Sequence, residues 1–391
     1  MYMRGIGAHM LCLEVSMMNI LKIKATLRRM GALALAMLCG ASAIALLIHS
    51  QTAGAGVRAG LRLCYEVIIP SLFPFMVLTG FLAVSRASLV VNRLLMPLTA
   101  VLRLPRNAAS GLLAGLIGGY PVGARTMAVM VQEQHISAQT ASRMLCYCVN
   151  AGPPFLLCAV GVGMLGSQEL GLMLLAAQLG SAMIIGLVMG LFSKGEKKLE
   201  HMPQQNSFRP YSVCLVNAIN NACTGMFSIC AFIIVFSCIT TMLSASVTMQ
   251  MLINALCGFM PAFTPQLMRA AIFGVIEVTT GCKALAGCGF TGVMFIAGLV
   301  SLSGLSVVFQ VMAALHGSGI KIRGFLLSRF AHCGLTLTVF YFLLRAFPQA
   351  VATALSFTAP IKATAGTGGG SLSLLIMCTL FLLSAGKEKT A

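Results

Sequence analysis

Glu277 stands in the stretch FGVIEVTTGCK, the one acid in a long apolar neighbourhood. An ionisable side chain in such surroundings points to function: a hydrogen-bond acceptor for a solute, a proton carrier or a cation ligand. The structural alternative is a charge pair with Lys283 or Arg269. The hydroxyls of Thr279 and Thr280 either line the same site or satisfy carbonyls of the preceding turn. Further stretches combine polar groups with helix breakers. In CYCVNAGPPFLL, Asn150 precedes Gly152, Pro153 and Pro154, so its amide either reads a solute through donor and acceptor together or caps the half-helix after the break. In GLIGGYPVGARTMAVM, Tyr120 is set among Gly118, Gly119, Pro121 and Gly123, and Arg125 follows as an anchor at the cytoplasmic mouth or as an anion contact. In SLSGLSVVFQV, Ser303, Gly304 and Ser306 with Gln310 form a counterpart break. Glu66, ahead of VIIPSLFPF, is an interfacial charge or a second intramembrane acid.

Other chemistries are disfavoured. The eight acids are all Glu, so an intramembrane aspartyl dyad is excluded, and H-E-x-x-H, G-x-x-x-x-G-K-[ST] and G-x-S-x-G do not occur. The six histidines are dispersed, and the 15 cysteines are scattered through apolar segments, where reduced thiols pack as small hydrophobes. The expectation is a non-enzyme with no metal site and no cofactor.

The elements that position these residues follow from composition. A chain of 391 residues that is 58% hydrophobic and 9% charged, with mean hydropathy +0.94, has too little polar surface to cover a soluble core. It reads as an all-α polytopic protein of the cell membrane, in contact with the lipid bilayer. Runs near the roughly 20 apolar residues that cross a hydrocarbon layer of about 30 Å occur at 31–49, 63–84, 144–165, 170–192, 226–243, 291–312 and 330–347, with a weaker one at 374–383. That gives about eight spans. The first, behind a basic region and without a small-x-small exit, reads as a retained signal anchor.

The net charge of +18 does not indicate nucleic acid. Lys22, Lys24, Arg28 and Arg29, then Lys194, Lys197 and Lys198, then Lys321, Arg323 and Arg329, cluster at span ends as positive-inside loops require, which places the N-terminus in the cytoplasm. These loops agree in side only if 108–131 is a re-entrant hairpin. A second dip around 269–283 then enters from the opposite face. Laid together, LIGGYPVGAR (116–125) and GVIEVTTGCK (274–283) set Gly123 over Gly281 and Arg125 over Lys283, the pattern of an inverted repeat. The resulting domains are a cytoplasmic segment 1–30, the anchor 31–49, a first membrane repeat 61–192, a cytoplasmic loop 193–210, a second repeat 211–347, and an external loop with a C-terminal helix at 348–391.

The stretches IIPSLFPFMVLTGFL, GLLAGLIGGYPVGARTMAVM, RMLCYCVNAGPPFLL, FGVIEVTTGC, SLSGLSVVFQV and FLLSRFAHCGL resemble the sporulation integral membrane protein family of the YlbJ type, whose members carry nucleoside-recognition or Gate domains. The chain departs from that pattern at Val149, where the family tends to have a second Asn. The resemblance implies a transporter-like protein of an endospore-forming bacterium, needed for spore envelope (cortex) formation. On this reading the partners are the bilayer, an unidentified small solute and membrane proteins. The rival expectation is a non-transporting scaffold for envelope-building machinery.

Overall fold

The structure is a computed structural model that describes residues 26, 29–105, 108–192 and 210–348. Helices and turns make up the described residues, without strands. Six helical segments are long and apolar enough to cross a membrane: Arg29–Ile48, Ser50–Leu82, Gln168–Leu191, Tyr211–Ser244, Gly289–Leu315 and Arg323–Ala346. The expected span 374–383 and the loop 193–209 lie outside the described residues.

The chain divides into two units. Residues Met1–Gly54 hold the apolar helix α1 (Arg29–Ile48). The second unit, Ala55–Ala391, holds everything that follows. The second span starts earlier than apolarity alone predicts: α2 (Ser50–Leu63) carries Arg58 and Arg62, and a π-helical turn, Cys64–Ile68, joins it to α3 (Ile69–Val84). Pro70 accounts for the turn, since its ring clashes with the carbonyl four residues back.

Short helices α4 (Ala87–Leu94) and α5 (Met96–Val101) lead to α6 (Ala109–Gly118) and α7 (Tyr120–Gln132). These two reverse direction at Gly119, whose φ of 81° and ψ of −173° suit glycine alone. The expected span 144–165 is not one helix. α8 (Ala138–Cys148) ends before Asn150, and a second π-helical segment, Phe155–Val162, begins after Pro153 and Pro154, which cannot donate backbone bonds. α9 (Gln168–Leu191) completes the first half.

The second half repeats this order of elements. The long α10 (Tyr211–Ser244) and the short α11 (Val247–Phe259) precede a hairpin of α12 (Pro265–Ile276) and α13 (Val278–Leu285). A broken pair follows, α14 (Gly289–Leu302) and α15 (Gly304–Leu315), then α16 (Arg323–Ala346). Ser303 makes the break between α14 and α15, held at φ 75° with Gly304 at φ 46°. Ser and Thr mark several helix starts by capping: Ser137 accepts from Thr140 N, Ser167 from Leu170 N, Ser246 from Met249 N and Thr264 from Leu267 N.

The halves interleave. α3 packs on α10, α7 on α15, and α9 on α16, so the core is shared between 61–192 and 211–347. Each hairpin closes on glycines: a Cβ on Gly123 would lie 2.8 Å from Gly115 Cα, and one on Gly281 would overlap Gly274 Cα. Gly281→Ala is therefore expected to lower stability by about 1–3 kcal/mol through overpacking. Gly180→Ala, which meets nothing within 4 Å, should be neutral or gain up to about 1 kcal/mol. Thermal unfolding of the purified variants in detergent checks both.

Candidate solute site

Both hairpin tips reach one cavity of about 70 Å³. Its wall includes Gly118, Gly119, Tyr120 and Pro121 from the first tip, and Glu277, Val278 and Thr279 from the second. The break after α8 supplies Ala151, Gly152, Pro154 and Phe155, α15 supplies Val307 and Gln310, and Ile68, Ile229 and Ile233 close the apolar side. The Gly119 and Gly152 backbones touch: a Cβ on Gly152 would lie 2.8 Å from the Ile117 carbonyl oxygen and 3.0 Å from Gly119 N.

Glu277 is 1% exposed and caps α13. Thr279 N donates to Oε1 at 3.0 Å and Thr280 N to Oε2 at 2.6 Å, so two helix-terminal amides and the positive end of the helix stabilise the carboxylate. The expected alternative pairings are not made. Arg269 Nη2 donates to Gln250 Oε1 at 2.7 Å, and Lys283 is exposed on the hairpin stem, as is Arg125 on its own stem. A carboxylate has about four lone-pair sites, so capping leaves acceptor capacity toward the cavity. Thr280 Oγ1 donates back to the Glu277 carbonyl at 3.2 Å, whereas Thr279 lines the cavity and its hydroxyl makes no hydrogen bond among the described residues. The Gln310 amide likewise makes none and lines the cavity.

The remaining predicted residues lie behind the wall or form its supports. The Tyr120 hydroxyl donates to the Val300 carbonyl near the end of α14, tying the first tip to the second half. Ser303 and Gly304 form the break above α15, with Gly304 against Val278. Gly123 and Gly281 sit in the hairpin stems, and Pro153 lies in the α8 break beside the cavity-lining Pro154. Glu66 is paired with Arg62 at 2.7 Å on an exposed helix face, away from the cavity.

Asn150 is buried, and Arg329 accounts for its orientation. Asn150 Nδ2 donates to the Tyr147 carbonyl, while Oδ1 accepts from Arg329 Nη1 at 2.9 Å. The same guanidinium donates to the carbonyls of Val149 at 3.2 Å and Cys146 at 2.6 Å, and lies 4.7 Å from the Phe325 ring centroid. This corrects the reading of Arg329 as a loop charge. It is 2% exposed and acts as a cap on the negative end of α8, where orphan carbonyls compensate a cation that has no carboxylate partner within 4 Å among the described residues. Arg329 thereby fixes the segment whose next two residues, Ala151 and Gly152, form the cavity wall. Sequence reasoning missed it because an Arg just before an apolar run reads as a flanking charge; the spacing of Arg329 and His332 on one helix face was the available signal.

Arg329→Met is expected to cost about 1–3 kcal/mol, the range for leaving buried acceptors unsatisfied, because the carbonyls of Cys146 and Val149 and Asn150 Oδ1 lose their donor. Asn150→Ala should cost about 1–3 kcal/mol by leaving a charged donor short of an acceptor. Unfolding in detergent measures both, with Lys283→Met as the exposed control.

Over 322 residues the chain is 26% identical to the "Sporulation integral membrane protein YlbJ" of Bacillus subtilis (strain 168), an alignment that covers 76% of this chain and 78% of that protein. No protein-family profile matches the chain, and no solved structure matches it with statistical significance. The chain is a multi-pass integral membrane protein, helical throughout its described residues, and is similar over three quarters of its length to this sporulation integral membrane protein.

Proposed function

We propose that the protein is a secondary transporter or permease that moves a small solute through the cavity between the two hairpin tips, in the service of spore envelope formation. It is not an enzyme on this reading, and the hairpins enter the bilayer from opposite faces as an inverted repeat with the N-terminus in the cytoplasm. The observation that carries the proposal is the convergence of interrupted backbone on one cavity: the tips at Gly119 and Glu277 and the break at 151–154 all line it, and the helix that follows Ser303 contributes Gln310. Interrupted backbone at membrane depth is tolerated where it is buried in protein or faces a wet cavity, and discontinuous helices of this kind build transporter sites.

The chemistry of the wall favours a solute with hydrogen-bond donors. Glu277 offers a carboxylate that no Lys or Arg neutralises within 4 Å among the described residues, and the Gln310 amide and Thr279 hydroxyl are uncommitted. Room for a few water molecules is the capacity of the cavity in this conformation, against the roughly 300 Å³ or more of typical organic-ligand pockets. Loading an organic solute therefore requires one tip to move away from the other, and the sporulation role of the Bacillus subtilis relative supplies the biological setting.

The test is thermal stability of the purified wild type and Glu277→Gln against a panel of nucleosides, nucleobases, amino acids, dipicolinate, metal ions and cell-wall precursors. A solute present at 100 times its Kd should add about 2.7 kcal/mol to the wild type. The same solute should add little to Glu277→Gln and to Gln310→Leu. In the native host, Glu277→Gln should block sporulation while the protein still reaches the membrane. Normal sporulation in that strain, with no solute stabilising the wild type and a specific protein copurifying, would replace transport by the scaffold reading.

A further inference from the structure

Arg329, His332 and Thr336 are spaced to share one face of α16, and that face packs on α9 and α14. Opposite them stand Gln178 and Ser181 of α9 and Ser301 of α14. All six are between 0 and 2% exposed, in a layer otherwise filled by apolar side chains. Part of the set is internally bonded: Gln178 Nε2 donates to Ser301 Oγ at 2.7 Å, Ser301 Oγ donates to the Ala297 carbonyl at 2.7 Å, and His332 Nε2 lies 3.1 Å from the Gln178 carbonyl oxygen.

The rest is not. Gln178 Oε1, Ser181 Oγ, Arg329 Nε, His332 Nδ1 and Thr336 Oγ1 are buried without a partner among the described residues. α16 itself shows the dry solution, because Ser328 Oγ and Thr338 Oγ1 bond back to the Phe325 and Gly334 carbonyls. Thr336 Oγ1 and Ser181 Oγ make no such bond. Unpaired polar atoms in a low-dielectric core are costly, and native interiors satisfy them with protein or ordered water. The unpaired set mixes a donor that cannot accept (Arg329 Nε), an acceptor that cannot donate (Gln178 Oε1), an imidazole nitrogen whose role follows its tautomer (His332 Nδ1) and two hydroxyls that do both. A metal cation does not suit it, since a guanidinium is part of the set and no carboxylate is. Water, with two donors and two acceptors, fits.

We infer that the seam between α9, α14 and α16 is a binding site for ordered water, a short file of molecules running from the Arg329 guanidinium past His332 to Thr336. The file lies directly behind the candidate site. Arg329 holds Asn150 from one side, and Tyr120 of the cavity wall holds the carbonyl of Val300, next to Ser301. The inference stands on hydrogen-bond accounting and is independent of what the cavity carries.

Radiolytic footprinting of the purified full-length protein, read by mass spectrometry, tests it, because hydroxyl radicals form in situ from bound water. Normalised to intrinsic reactivity, His332 should be oxidised several-fold faster than Met127, which is equally buried in apolar surroundings. Equal rates at His332 and Met127 overturn the inference, and this comparison needs no variant. Ser181→Ala and Thr336→Val extend it: if water is bound, each reduces His332 labelling and lowers the melting temperature. A raised melting temperature with unchanged labelling would mean that the hydroxyls were dry, and would also overturn it.

Discussion

Inside a membrane every backbone N–H and C=O must find a partner other than solvent, and this requirement governs the architecture. The chain interrupts its helices at Gly119, at 149–154, at Glu277 and at Ser303. Side chains repair three of these interruptions. Glu277 caps the amides that follow it, Arg329 and Asn150 serve the carbonyls that end α8, and the Tyr120 hydroxyl serves Val300 near the end of α14. The Arg329 and Tyr120 repairs cross between the halves, in keeping with the interleaved core.

The two buried charges obey one rule with opposite signs. Glu277 sits at a helix N-terminus and Arg329 at a helix C-terminus, each compensated by peptide dipoles in place of a counter-ion. Bare burial of either charge would be prohibitive. Dipolar compensation holds each side chain in position without a salt bridge, and it leaves Glu277 with acceptor capacity for the cavity.

Much of this was legible in the sequence. The glycine and proline clusters mark the interruptions, and the alignment of 116–125 with 274–283 sets Gly119 over Glu277, the residues that became the two hairpin tips. Isolation of Glu277 in apolar sequence correctly reads as burial. Other features were hidden because they depend on partners far along the chain. The Arg329 acceptors lie about 180 residues earlier, with Asn150 at a separation of 179, and no local pattern reveals them. For the same reason Asn150 reads in the sequence as a solute contact or a cap on the half-helix after the break, whereas it bonds the Tyr147 carbonyl and Arg329 at the end of α8. The stretch 144–165 is apolar enough to cross, yet two adjacent prolines with Gly152 outweigh hydropathy and divide it.

The glycine-locked stems have a mechanical consequence. Arms that meet at bare Cα atoms leave no side chain to compress and no gap to close, so a hairpin such as α6 and α7 resists splaying and turns as one stiff finger about its base. An arm of 10 residues is roughly 15 Å long. A tilt of about 10° then carries its tip about 2.6 Å, close to the width of a water molecule.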